Sequence, residues 1–137
     1  MTMQSDNINA SAAIAEILRN EPGLKLAILF GSAASGTLRD DSDIDIALLF
    51  DTPLDAERKL ELVARLDLHL GRNIDLVDMA QLSGTILQQI LCKGQMVIKN
   101  DAHALFMLLQ RMIYNQADMM PYVTRTLMER QRRFVNG

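Results

Sequence analysis

A Gly-Ser pair and three aspartates are the residues of this chain whose types and spacing best suit chemistry. Gly31 and Ser32 follow an apolar run at residues 24–30. Glycine lets the backbone turn sharply and come close to a ligand. If a helical turn follows, the free N–H groups at its mouth form an anion site. The Ser32 hydroxyl adds a further donor, so the pair suits the outer phosphates of a nucleoside triphosphate. The chain then reads Asp41-Ser42-Asp43-Ile44-Asp45. On a strand Asp43 and Asp45 face one way, while Ile44, Ile46 and Leu48 face the other. Neighbouring carboxylates repel and raise each other's pKa. A shared Mg²⁺ removes that penalty, because hard cations take oxygen ligands. Asp75, flanked by Ile74 and Leu76 on the next expected strand, is the third candidate ligand. Three carboxylates on neighbouring strands can hold two Mg²⁺ ions, one activating the attacking oxygen and the other holding the phosphates. Taken singly, each of these residues marks a turn as readily as a site. Their combination is what points to chemistry.

The elements that must position these residues follow from periodicity. Residues 11–20 read as a short helix with Ile14, Ile17 and Leu18 on one side, stopped by Glu21-Pro22-Gly23. Residues 24–30 read as a buried strand, 31–42 as a polar loop and 43–50 as a second strand. Pro53 and Asp55 open a helix to Leu70 with Leu60, Val63, Leu66 and Leu70 as its inner stripe, and Gly71 caps it. Residues 73–77 form a third strand. Asp78 and Gln81 have capping-box spacing, which predicts a helix from there to Gly94. A short strand follows at 95–99, and a helical segment at 101–134. Its main face carries Leu105, Leu108, Leu109, Met112, Ile113, Gln116 and Met120, continued by Val123 and Leu127, and Pro121 should kink it. The alternation predicts a single α/β (α+β) domain over residues 1–137, a small mixed sheet of about four strands flanked by helices.

Composition agrees. A chain of 137 residues with 49% hydrophobic and 23% charged residues suits one folded domain. The apolar runs are strand-sized, so no membrane span is expected, and residues 1–10 lack the pattern of a secretion signal. Cys92 is the single cysteine, which makes a reducing cytoplasm the expected setting. The net charge of −3 argues against nonspecific binding of duplex nucleic acid. It leaves a nucleotide open, because a metal can supply positive charge. Arg125, Arg130, Arg132 and Arg133 crowd the C-terminus, either as a solvated helix end or as a contact surface for an acidic partner.

Gly31-Ser32, ten residues, then Asp43-Ile44-Asp45 resembles the signature of the polymerase-β-type nucleotidyltransferase superfamily. The shortness of the chain resembles its minimal nucleotidyltransferase (MNT) group, antitoxins encoded beside HEPN ribonuclease toxins. The resemblance covers residues 24–99. It implies transfer of AMP from ATP to a tyrosine of the toxin, which silences it. It also implies that Gly31 and Ser32 hold phosphate while Asp43, Asp45 and Asp75 hold metal. Many relatives carry arginine directly before the second glycine of the loop, where this chain has Ser35 before Gly36. Arg39 either reaches the phosphates in its place or faces solvent.

The remaining candidates have plainer readings. His69 and His103 lack a second metal-type ligand at helical spacing and read as surface or packing residues. Cys92 reads as a small buried hydrophobe. Tyr114 and Tyr122 suit packing or partner contact more than self-modification. Met107, Met112, Met119, Met120 and Met128 form core at helical spacing, or in part an adaptable interface. Two other functions compete: an inactive antitoxin that neutralises its partner by contact alone, and a small-molecule nucleotidyltransferase. The chain leaves little room for the separate acceptor domain that the second would need.

Overall fold

Apolar periodicity sets most of the elements in the computed structural model, which describes residues 3–31 and 43–114. The expectations for Ser32, Ser35, Arg39, Pro121, Tyr122, the later methionines and the C-terminal arginines fall outside the described residues. The elements are α1 (Met3–Leu18), β1 (Leu24–Phe30), β2 (Ile44–Phe50), α2 (Ala56–Leu70), β3 (Ile74–Asp78), α3 (Gly84–Lys93), β4 (Gln95–Lys99) and α4 (Ala102–Tyr114). The strands form one sheet in the order β3-β2-β1-β4. β1 is antiparallel to β2 and β4, and β2 is parallel to β3. The four-stranded mixed sheet with flanking helices is the expected α+β architecture.

Alternation along the strands builds a core on each face. Ile44, Ile46, Leu48 and Leu76 pack with Ile14 and Leu18 of α1 and Leu62 and Leu66 of α2. On the other face Leu26, Ile28 and Ala47 pack with Ile90 of α3 and with Ala104 and Leu108 of α4. Asp45 and Asp75 alternate with the first set, so they belong to the second face, at its end. Short caps fix the connections. Asp55 accepts from the Arg58 N–H at 2.7 Å. Gly71 takes the left-handed conformation, φ 66°, and its N–H donates to the Asp67 carbonyl.

Four expectations need correction. α1 begins well before residue 11, because the polar stretch there contains no proline or glycine to stop a helix. Leu60 is 71% exposed, and Leu62 and Leu66 are the buried pair of α2. The helix carries leucines on two registers, and periodicity alone does not choose between them. The predicted helix from Asp78 is instead a 3₁₀ turn, Met79–Gln81, with α3 starting separately at Gly84. Asp78 caps that turn through Ala80 N–H while its other oxygen accepts from Leu54 N–H, each at 3.0 Å. Arg111 of α4 donates to the carbonyls of Met79, Ala80 and Leu82, which occupies acceptors that a longer helix would need. Cys92 is exposed, because Leu87 and Ile90 take the sheet-facing side of α3.

Glu21 holds the end of α1 to α2. Its carboxylate accepts from Arg65 at 2.5 Å and from Arg58 at 3.1 Å. Arg58 also lies over the Phe50 ring, 4.1 Å from its centre. Burial alone would raise the Glu21 pKa, but the two guanidinium groups outweigh it and hold the pKa below its ordinary value. A carboxylate depressed in the folded state adds stability that is present above its unfolded pKa and is lost as pH falls through the folded one. Glu21→Gln should therefore lower stability at neutral pH by about 1–3 kcal/mol, because it leaves two arginines without their shared anion. The deficit should shrink as the medium is acidified through the carboxylate range. Urea unfolding across that range checks both points, and a pH-independent difference would contradict the assignment.

Candidate functional site

The sheet gathers its candidate residues at one edge. β1 ends there at Phe30, and β2, β3 and β4 all begin there, as the strand directions require. Asp45 and Asp75 are register partners across the parallel β2–β3 pair, and Phe30 is the register partner of Asp45 on β1. The backbone of β2 is tied to this edge by the Ile44 N–H, which donates to the Asn73 carbonyl at 2.9 Å.

Electrostatics show how closely the carboxylates approach. The Asp45 pKa is raised above its ordinary value, first by burial, then by the charge of Asp75 and a hydrogen bond with it, and then by the charge of Asp43. Asp45 is half-buried, while Asp75 and Asp43 are exposed. Asp43 stands one residue before β2 begins. The parallel register thus sets Asp45 and Asp75 side by side on neighbouring strands, with Asp43 two residues before Asp45. Among the described residues no three His, Cys, Asp or Glu side chains form a ready-made metal cage.

Gly31 completes the described site. Its φ is 72°, the left-handed region that glycine tolerates. A Cβ added there would collide with the Asp45 carboxylate oxygen. The turn is glycine for two reasons: its backbone conformation and the carboxylate lying against it. Ser32 lies outside the described residues.

The donor set fits a hard divalent cation. Asp45 and Asp75 bring negative charge together, Asp43 adds to it, and Asp45 binds a proton more readily than an ordinary carboxylate because it is partly buried and faces these two charges. Asp78, three residues beyond Asp75, is used in capping and is not part of the cluster. The histidines take no part. His69 contacts the Arg65 carbonyl through Nδ1, and His103 stacks on Phe106. The sequence reading passes over a further piece of this edge, the junction of α3 and β4. Gly94 there packs against Ile28 and the Leu29 carbonyl. In the sequence Gly94 signals only a helix end, and its contact with β1 emerges only from the sheet order.

Residues 12–103 match the family described as polymerase beta, nucleotidyltransferase, and the chain belongs to that family. It is 38% identical over 88 residues to the protein adenylyltransferase MntA of Shewanella oneidensis, covering 64% of this chain and 63% of that protein. The match therefore spans less than two thirds of that relative's length. Among solved structures, the chain resembles a toxin–antitoxin crystal structure with AMP-PNP, at 30% identity and a TM-score of 0.68, covering 85% of this chain and 98% of that one. It also resembles a structure of a tri-AMPylated Shewanella oneidensis HEPN toxin in complex with its MNT antitoxin, at 27% identity and a TM-score of 0.61, covering 92% and 99%.

Gly31→Ala should damage the site directly. The methyl group must occupy strained backbone and displace Asp45, at a cost of about 1–3 kcal/mol. The expected outcome is a folded protein of lower melting temperature that has lost nucleotidyl transfer. Circular dichroism and a transfer assay check it together, and a fully active Gly31→Ala protein would contradict the close packing of glycine and carboxylate.

Proposed function

We propose that this chain is a Mg²⁺-dependent nucleotidyltransferase that moves AMP from ATP to a tyrosine of a partner HEPN ribonuclease toxin in the cytoplasm, and so acts as its antitoxin. The observation that carries the reading is the register pairing of Asp45 with Asp75 beside Gly31. The names of the relatives support a protein acceptor and the partner: a protein adenylyltransferase and an MNT antitoxin bound to a tri-AMPylated HEPN toxin. The structure with AMP-PNP supports an adenine nucleotide as donor.

In this reading Asp43, Asp45 and Asp75 would hold the metal, as two Mg²⁺ ions, and Gly31 and Ser32 would bind the outer phosphates. Mg²⁺ bound there supplies positive charge against the triphosphate and favours the ionised acceptor oxygen. The tyrosine oxygen forms a bond to the α-phosphorus, the bond to the β-phosphate oxygen breaks, and pyrophosphate leaves. The phenolic proton is released. Gly31 lets the phosphate approach the backbone with no side chain between them. Asp75, exposed at the outer edge of the sheet, stands on the side open to an acceptor. Among the described residues no helix is long and apolar enough to cross a membrane.

Asp43→Asn and Asp45→Asn should each abolish transfer while the protein stays folded, because an amide of the same shape supplies no charge. Asp75→Asn should lower turnover far more than it weakens ATP binding, since it would act mainly on the acceptor oxygen in the transition state. Asp78→Asn should leave transfer near the wild-type rate apart from any loss of stability. Wild-type rates in any of the first three variants would remove that residue from the metal site. An Asp45→Asn protein that still neutralises its partner fully would favour an antitoxin acting by contact.

The partner reading has its own structural support. The outer side of α4 carries Phe106, Met107, Ile113 and Tyr114, which are 53%, 50%, 44% and 71% exposed. Ile113, expected on the same face as Leu108, lies instead with the exposed residues, on a stripe opposite Ala104 and Leu108. An exposed stripe of this kind suits a protein contact. The segment that begins with α4 and runs to residue 134 is the proposed docking element. Phe106→Asp with Tyr114→Asp, or truncation after Asp118, should reduce co-purification with the neighbouring gene's product at least about tenfold. Undiminished capture by a folded variant would refute this role.

A further inference from the structure

We infer that Lys93, in the last turn of α3, contacts the phosphates of the bound triphosphate. The inference rests on the nucleotidyltransferase reading of the site and adds to it a residue that lies outside the Gly-Ser turn and the acidic cluster. Asp43, Asp45 and Asp75 stand together at the edge of the sheet, and a triphosphate brings more negative charge to it. Metal ions offset part of this, and a fixed cation on the protein would offset more.

The fold places Lys93 where such a cation is needed. β4 begins at Gln95, whose register partner on β1 is Leu29, two residues before Gly31. Gly94 seats the junction on β1, with a Cβ position 2.5 Å from Ile28 Cγ2 and 3.2 Å from the Leu29 carbonyl oxygen. No bulkier residue would allow this approach. Lys93 is therefore carried to the end of β1, beside the Gly31 turn. α3 packs through Ile90 on the face of the sheet that carries Asp45 and Asp75. Lys93 flanks the turn on the β4 side, as the two aspartates flank it on the β2 side. A lysine side chain can carry its charge about 6 Å from its Cα. The side chain is exposed. Arg72 stands beside Asn73 at the opposite flank of the same edge and has contacts of its own.

The plain alternative is a lysine that merely complements the negative end of a helix. The two roles separate by what each ligand presents. A helix-end lysine affects melting temperature and treats ATP and AMP alike. A phosphate-contacting lysine discriminates between them, because AMP lacks the outer phosphates. Titration calorimetry on the full chain with ATP and with AMP, both with Mg²⁺, tests this. Lys93→Ala should weaken ATP about tenfold, and Lys93→Glu further, while AMP affinity stays unchanged. Lys93→Arg should retain ATP binding. ATP binding at wild-type strength in Lys93→Glu would overturn the inference and leave the proposed function standing. Equal weakening of ATP and AMP would also overturn it, in favour of a structural lysine. Absence of ATP binding by the unaltered chain would overturn both.

Discussion

Asp45 and Asp75 face the same point from adjacent parallel strands, and holding two carboxylates there is unfavourable unless a proton or a cation lies between them. The rest of the structure makes that arrangement unavoidable. Ile44, Ile46 and Leu48 anchor β2 in one core, and Leu76 anchors β3 in the same core. A shift of either strand by one residue would bury a carboxylate and expose isoleucine or leucine. Core packing therefore fixes the register, and the register fixes the repulsion. Gly31 closes the site from the end of β1, because any side chain there would push Asp45 away.

The energetics of the domain and of the site are largely separate. Stability comes from two apolar layers on either side of the sheet and from ties such as Glu21 with Arg58 and Arg65. Arg111 plays a comparable part on the opposite face, where it gathers three carbonyls around the turn after β3. Neither cluster includes Asp43, Asp45 or Asp75. Site residues can thus be exchanged for uncharged analogues without loss of the fold, which lets charge at the site be tested apart from folding.

Much of this fold was legible in the sequence. The alternation of Ile44-Asp45-Ile46 and Ile74-Asp75-Leu76 carries both the strand assignment and the shared face of the two aspartates. The left-handed cap at Gly71 follows from a glycine placed just after an apolar stripe. Other features depended on tertiary choices that local pattern does not encode. Leu60 and Leu62 are equally apolar, and only the packing of α2 against the sheet selects the second. The turn after Asp78 is short because Arg111, distant in sequence, takes its carbonyls. Cys92 is exposed because Leu87 and Ile90 turn the helix the other way. In the site, the contact of Gly31 with Asp45 and the seating of Gly94 on β1 needed the strand order, which spacing alone leaves open.

In the proposed function AMP, and no other part of ATP, is the group that is transferred. The direct measurement uses ATP radiolabelled at either the α- or the γ-phosphate, incubated with Mg²⁺, the purified chain and the product of the neighbouring gene. The account predicts that the α-label becomes covalently attached to a tyrosine of the partner, with release of pyrophosphate, and that the γ-label does not. Transfer of the γ-label, or no label on the partner while its toxicity is still neutralised, would contradict it.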